Sequence, residues 1–272
     1  MRVSFLASEL DPAGTLMASI LEELDPSLPG IELSLTLVDR EVLYLESPKE
    51  AGLSEVDLVV VLSRHSGTPG YPIITTHAPG NFSEAKFGGR PGVLGVSAPL
   101  FMKAFLIEAA ARARGTGYEV HQEPTHHGPT LDVPLAFVEV GCSPREWGDR
   151  EAARIVVESS LAALSALPVM DAIPAAAFGG PHINRHFTEV QLRTRYAIGH
   201  VLRKHDSDGA PADSVRQAFS RVSGGPARVA IVDWKGLRGA VRARLVEMFE
   251  EMGVEVLRVR RVLRGEGPQA EV

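Results

Sequence analysis

Nine histidines and a single cysteine are the side chains of this 272-residue chain best suited to proton or metal chemistry near neutral pH. Three histidine-bearing stretches share one design. Thr76-His77-Ala78-Pro79-Gly80-Asn81-Phe82, Thr125-His126-His127-Gly128-Pro129-Thr130 and Phe178-Gly179-Gly180-Pro181-His182 each set histidine beside glycine and proline. Those neighbours disfavour helix and strand interiors. Loops at the ends of sheet strands are where open α/β proteins place ligands. The expectation is that the three loops meet at one site.

Each candidate has a chemical reading and a plainer one. His127 is preferred to His126, because adjacent side chains of an extended loop point opposite ways. His77 can serve as base or metal ligand, with Asn81 orienting a water or a carbonyl. Against that stands a simple Asn-stabilised turn. Gly179 and Gly180 suit a tight turn whose N–H groups face an anion or a developing oxyanion, or else a plain loop. Glu139 ends an apolar strand, where a carboxylate is costly unless paired. It can be a metal ligand, a base, a histidine's orienting partner or an arginine's structural partner. Cys142 sits at a helix start, where thiolates are favoured. It also forms a hydrophobic staple with Trp147, which is reason enough for it to be there. His65, His186, His200 and His205 are weaker candidates.

The chain has no G-x-S-x-G elbow, no Walker A loop, no G-x-G-x-x-G and no H-E-x-x-H. No spacing defines a zinc site by itself.

An alternation of strands and helices must position these groups. Arg2–Ala7 reads as a strand. Asp11 caps a helix that opens on Pro12 and stops before Pro26. Ile31–Val38 reads as a strand, Val42–Leu45 as a short strand or sheet edge, and Asp57–Leu62 as a strand covered on both faces. A polar loop from Ser63 to Gly70 follows, and Tyr71–Thr76 delivers His77. Pro99–Ala113 reads as a helix. Strands at Tyr118–Glu123 and Leu135–Val140 flank the paired histidines. Ser143, Pro144 and Glu146 compose a capping box that opens a helix to about Leu164. Pro174–Phe178 is a short strand, and Pro211–Val222 a helix.

Gly224-Gly225-Pro226 is the best boundary. It divides an α/β catalytic domain, 1–223, from a C-terminal βαβ extension, 224–272, packed on the same domain. The extension comprises a strand at Arg228–Val232, a helix at Lys235–Met252 and a strand at Val254–Val259. It either adds to the main sheet or forms a small appendage.

Composition bounds the rest. With 44% apolar and 23% charged residues the chain is an ordinary globular one. Disorder is expected only from Gly265 onward. The start is too soon acidic for a signal peptide, and no apolar run of membrane-spanning length is expected. One cysteine allows no internal disulfide. The expected location is the cytoplasm. A net charge of −6 argues mildly against nucleic acid. The charge is uneven, however: Arg185, Arg193, Arg195, Arg203 and Lys204 face only Glu189 between His182 and Lys204.

Several unusual phrases occur in order: Ser63-Arg64-His65 with Gly67-Thr68-Pro69, His77-Ala78-Pro79-Gly80-Asn81-Phe82, Thr125-His126-His127-Gly128-Pro129-Thr130, Glu139-Val140-Gly141 with Ser143-Pro144 and Trp147, and Gly179-Gly180-Pro181-His182. Together they resemble the archaeal-type D-aminoacyl-tRNA deacylases, from about Met1 to Lys204. The resemblance implies a three-layer α/β/α fold with a mixed, mostly parallel sheet, similar to peptidyl-tRNA hydrolases and phosphorylases. It implies hydrolysis of the ester joining a D-amino acid to tRNA, and an association with zinc.

The catalytic candidates are then His77, Asn81, His127 and Glu139. His77, His127 and His182 are the candidate metal ligands. His126, Gly179, Gly180, Arg185, Arg193 and Arg195 are expected to bind substrate. No membrane or protein partner is implied. Two other readings compete: a metal-dependent hydrolase or phosphorylase of small molecules, and a tRNA-binding module without chemistry.

Overall fold

Side-chain alternation builds the larger sheet. Val3, Phe5 and Ala7 of β1 (Arg2–Ser8) point into one apolar cluster, and Leu6 into another on the opposite face. The same division recurs in β3 (Leu58–Ser66) and β7 (Pro134–Cys142). There Val60, Leu62, Val138 and Val140 join the first cluster, and Val59, Val61, Leu135 and Phe137 the second. The remaining strands are β2 (Glu32–Val38), β4 (Ile73–His77), β5 (Val96–Ser97) and β6 (Glu119–Gln122). The order is β2-β1-β3-β7-β4-β6, with β5 on β7. Every pairing is parallel except β4 with β7. This computed structural model describes residues 1–53, 55–67 and 70–266. Thr68 and Pro69 of the polar loop, and residues 267–272 of the tail expected to be disordered, lie outside the described residues.

Helices α1 (Pro12–Leu24), α2 (Pro99–Arg112) and α4 (Arg150–Ala166) cover the first face. Asp11 caps α1 as expected, accepting from the amides of Ala13 and Gly14. The Ser143–Glu146 capping box also forms, but the helix it opens, α3 (Pro144–Trp147), lasts one turn. Gly148 ends it and Asp149 caps α4 afresh, so the single helix expected to Leu164 is two. The stretch Arg150–Val169 is long and apolar enough to cross a membrane, contrary to expectation. Half of that stretch is buried, and α4 packs on α1 and α2 as a core helix does.

The second face is covered by irregular chain. Val42–Leu45 is not a strand: Val42–Tyr44 and Pro48–Ala51 are single 3-10 turns. They lay Val42, Leu45 and Ala51 onto Val59, Val61 and Leu135, where a strand would have turned half of its side chains to solvent.

The second sheet is a departure from the expected single sheet. Strands β8 (Ile173–Phe178), β9 (Tyr196–Leu202), β10 (Val229–Val232) and β11 (Glu255–Arg258) pair in the order β11-β10-β8-β9, all parallel. The C-terminal βαβ unit therefore neither extends the main sheet nor stands alone; it hydrogen-bonds to β8. Helices α5 (Arg185–Arg193) and α9 (Val259–Val262) pack on one face. The short α6 (Lys204–Ser207) follows β9, and α7 (Ala212–Ser220) and α8 (Gly239–Glu251) take the other face. The architecture is α/β, with a mixed, mostly parallel sheet and flanking helices.

Helix α2 joins the halves, touching β4 and β6 on one side and β9 and α5 on the other. Contact with both sheets explains why most of its faces are apolar, with Ile107, Glu108, Ala111 and Arg112 left on the open side. Its Lys103 is buried and donates to the carbonyls of Gln191 and Thr194, at the negative end of α5.

Candidate active site

One face of the larger sheet changes from apolar to polar along its strands. Ser63 and Thr75 both stand opposite Glu139, and His121 stands opposite Thr75. Residues in register share a face, and so do residues two apart along a strand. Thus Val59 and Val61 lead to Ser63 and His65, Phe137 leads to Glu139, Thr75 to His77, and His121 to Glu123. His65, His77, Glu123 and Glu139 are all buried there. His77 stacks flat on Phe137, centroids 4.9 Å apart.

Two loops complete the cluster. The first follows β6. Thr125 ties it to β9, its amide donating to the Val201 carbonyl at 2.9 Å and its hydroxyl to His200 Nδ1 at 3.0 Å. His127 then adopts φ +47°, in the left-handed region that non-glycine residues rarely enter. That twist turns both rings the same way, so the expected opposition of His126 and His127 does not occur. His126 lies 4.4 Å from His127 and 4.4 Å from His77, centroid to centroid. Gly128 is required next, since a Cβ there would sit 2.1 Å from the Leu43 carbonyl oxygen. The second loop follows β8 and brings His182 within 5.0 Å of the His126 ring.

The charges are arranged around His65. Its Nδ1 lies 2.7 Å from Glu123 and 3.4 Å from Glu139. Burial pulls His65 down, but the two carboxylates outweigh it and hold the imidazole up at about 10. Burial would raise Glu139, yet His65 and His77 bring it down to about 2, and Glu123 is likewise held well below the usual range. Burial pushes His127 down to about 4, aided by the charge of His77, and lowers His126 as well.

Hydrogen-bond partners assign the ring nitrogens. Nδ1 of His77, His126 and His127 contacts the backbone carbonyls of Ala78, Pro124 and Gly128, at 3.2, 2.8 and 2.6 Å. A carbonyl only accepts, so each Nδ1 carries a proton; His126 and His127, lowered by burial, present a free Nε2, while Glu139 raises His77 and favours a proton, or a cation in its place, at Nε2. His182 is the reverse. Arg203 Nη1 donates to its Nδ1 at 2.8 Å, which leaves Nε2 protonated and 3.6 Å from Glu123.

These residues fit a metal ion. One ring nitrogen from each of His77, His126 and His127 lies within 4.8 Å of the other two. His77 Nε2 is buried without a hydrogen-bond partner and faces Glu139 at 3.5 Å, an arrangement that repels unless a proton or a cation intervenes. Both oxygens of Glu123 are also unpartnered, because the His65 contact is short but misaligned. Neutral imidazoles with backbone-fixed tautomers are a zinc donor set.

The remaining sequence candidates divide. Asn81 is buried at the cavity wall, but its amide donates to the Gly88 carbonyl at 3.0 Å. The amides of Gly179 and Gly180 are already committed, to Leu202 and Gly236, and are not free for an oxyanion. A Cβ on Gly180 would lie 2.0 Å from Asn184, so its role is close packing of the turn. Arg185 pairs with Glu119 at 2.8 Å and Arg195 with Asp171 at 2.9 Å, while Arg193 lies 4.0 Å from Glu189. None of the three lines the cavity above the cluster. Cys142 is raised to about 11 by burial and by Glu146, which disfavours a thiolate. Sequence reasoning missed Glu123 and underrated His65, although period-two alternation from His121 and from Val61 points to both.

The cavity encloses about 750 Å³, with His126, His127, Glu139 and His182 at its base and Arg64, Tyr44 and Phe87 around it. The D-aminoacyl-tRNA deacylase family model matches residues 53–257. The chain belongs to this family. It is 44% identical to a D-aminoacyl-tRNA deacylase of Korarchaeum cryptofilum, covering 97% of this chain and 96% of that one. A D-aminoacyl-tRNA deacylase of Aeropyrum pernix is 36% identical, with 94% and 99% covered. The fold is similar to that of a solved structure described as a conserved protein of unknown function, AF0625, at TM-score 0.88 and 30% identity, covering 97% of each chain.

Proposed function

We propose that the chain hydrolyses the ester bond of D-aminoacyl-tRNA, releasing the free D-amino acid and tRNA. The observation that carries this reading is membership of the family together with a buried histidine–carboxylate cluster at the base of a cavity able to take an aminoacyl-nucleoside.

His77, His126 and His127 would hold a zinc ion through Nε2; this set exchanges the His182 of the sequence-based trio for His126. Zinc in that cage supplies Lewis acidity toward water and toward the ester carbonyl. Glu139, ionised and facing the cavity, takes a proton from the attacking water as the new C–O bond forms. The resulting acid passes that proton to the ribose oxygen as the ester C–O bond breaks. Thr75 donates to Glu139 at 3.3 Å and fixes its orientation. His65, charged between Glu123 and Glu139, holds the two carboxylates in one site. Asn81 shapes the cavity wall by anchoring the loop at Gly88. The substrate is a tRNA, so the reading places the protein in the cytoplasm.

A paired deacylation assay on D- and L-tyrosyl-tRNA tests this. Release of D-tyrosine with the L-isomer spared is expected, and His77→Ala and Glu139→Gln are expected to lower the rate by about 100-fold or more. Equal turnover of both isomers removes the chiral claim. Full activity in both variants removes the site.

A further inference from the structure

We propose that a second cleft, beside the catalytic cavity, seats a phosphate of the substrate's acceptor strand, with Lys204, Lys235 and Arg260 as its cations. The inference rests on the deacylase reading and names a surface of the protein that meets the tRNA.

The cleft follows from the topology of the smaller sheet. The crossover from β8 to β9 runs through α5 on one face, and that from β10 to β11 through α8 on the other. Neighbouring strands β8 and β10 therefore send their chains apart, and a crevice opens at their carboxyl ends. It encloses about 970 Å³. His186, in the first turn of α5, and Arg238, the N-cap residue of α8, both line it, so the positive ends of two helices border the space.

Its charge is unbalanced. Five cations line it against two carboxylates, Asp208 and Asp233. Asp208 is paired with Arg238 at 2.7 Å. Asp233 accepts from Asn184 at 3.2 Å and from the Gly236 amide at 3.2 Å. Arg203 is held by Asp206 at 2.6 Å. Among the described residues, Lys204, Lys235 and Arg260 have no carboxylate within salt-bridge distance. By contrast, Arg185 and Arg195, the cations that the sequence pattern favours, are neutralised by Glu119 and Asp171.

The two cavities share a wall. His182, Arg203 and His205 line both. In this proposal the nucleotide chain of an ester bound at the histidine cluster crosses that wall at Arg203 to reach the cationic crevice. A phosphodiester carries the charge and the acceptor oxygens that such a crevice accepts.

The test compares two substrates, D-tyrosyl-tRNA and 3′-O-D-tyrosyl-adenosine, which has the ester and the base but no phosphate. The proteins are wild type, Lys235→Glu/Arg260→Glu, the milder Lys235→Gln/Arg260→Gln, and Lys49→Glu, a charge reversal outside both cavities. The double reversal should raise KM for the tRNA about ten-fold or more with kcat nearly unchanged. Its log–log salt slope should be shallower by about 1.4 if two contacts to a single strand are lost. The glutamine pair should fall between, Lys49→Glu should match wild type, and turnover of the nucleoside ester should not change. Affinity for uncharged tRNA should weaken in parallel, with melting temperatures confirming folded variants. Variants identical to wild type on tRNA, or equally impaired on both substrates, overturn the phosphate seat alone. A wild type inert toward both substrates overturns the deacylase reading, and the seat with it.

Discussion

Arg203 donates to His182 Nδ1 across 2.8 Å, and a guanidinium has no lone pair with which to accept in return. The contact sets the tautomer of His182 and aims its Nε2–H at Glu123. A residue that sequence alone offered as a metal ligand thus points an N–H toward a buried carboxylate 3.6 Å away.

Replacing the donor should release that tautomer. Arg203→Met is expected to lower kcat/KM on D-tyrosyl-tRNA by about 10- to 100-fold, the usual cost of losing an orienting partner. Arg203→Lys should recover part of it. Nitrogen-15 shifts of His182 give the direct readout. An unchanged tautomer in the methionine variant would show that the guanidinium does not set it.

The ring-nitrogen assignments separate two metal sets. Protein prepared without a histidine tag should bind zinc near one equivalent. His126→Ala should lose most of it, and His182→Ala should keep it. The reverse pattern would return His182 to the ligand set and strike out the tautomer argument. A chelator should silence the wild type, and zinc should restore it.

His200 makes stability depend on pH. It is fully buried, its Nε2 donates to the Arg221 carbonyl at 3.1 Å and its Nδ1 accepts from Thr125. Burial pushes it down to about 4, against about 6.5 in an unfolded chain. Between those values the unfolded chain binds a proton that the folded chain refuses. The contribution is therefore complete above about pH 6.5 and is lost as pH falls toward 4, roughly 3 kcal/mol in all. Denaturation of wild type and His200→Gln between pH 4.5 and 7 should show the stability gap shrinking on acidification. A gap independent of pH rejects this account.

Phe178, Phe219 and Phe249 cluster on one face of the smaller sheet, with centroids 4.6 to 5.6 Å apart. Phe249→Ala is expected to cost about 3–5 kcal/mol. Ending the chain at Ser223 would strip β10 from β8 as well as removing Phe249. Such a protein should fail to accumulate in soluble form, as expected if residues 224–272 are packed on the same domain. A soluble, active truncation would make the extension dispensable.

Local signals were the legible part of the fold. Asp11 and Ser143 cap helices where short-range hydrogen bonding says they should, and alternation at Tyr118–Glu123 with the apolar run at Leu135–Val140 located the strands that flank His126 and His127. What eluded the sequence was long-range or energetically unusual. Strand β3 runs on to Ser66 and carries His65, because pairing with β7 overrides the polar composition of Ser63–Ser66. Glu123 closes the alternating stretch from Tyr118 and drew no functional reading, yet it is buried and compensated by His65 and His182. The left-handed twist at His127 has no sequence signature, since glycine is the usual occupant of that conformation. Nothing local reveals that β8 prefers β10 to the larger sheet.

Thr125, one residue before the paired imidazoles, is stitched to Val201 and His200 of the neighbouring sheet. That stitch fastens the histidine loop itself to both halves of the molecule. Warming that merely loosens their seam should extinguish turnover several degrees before either half melts.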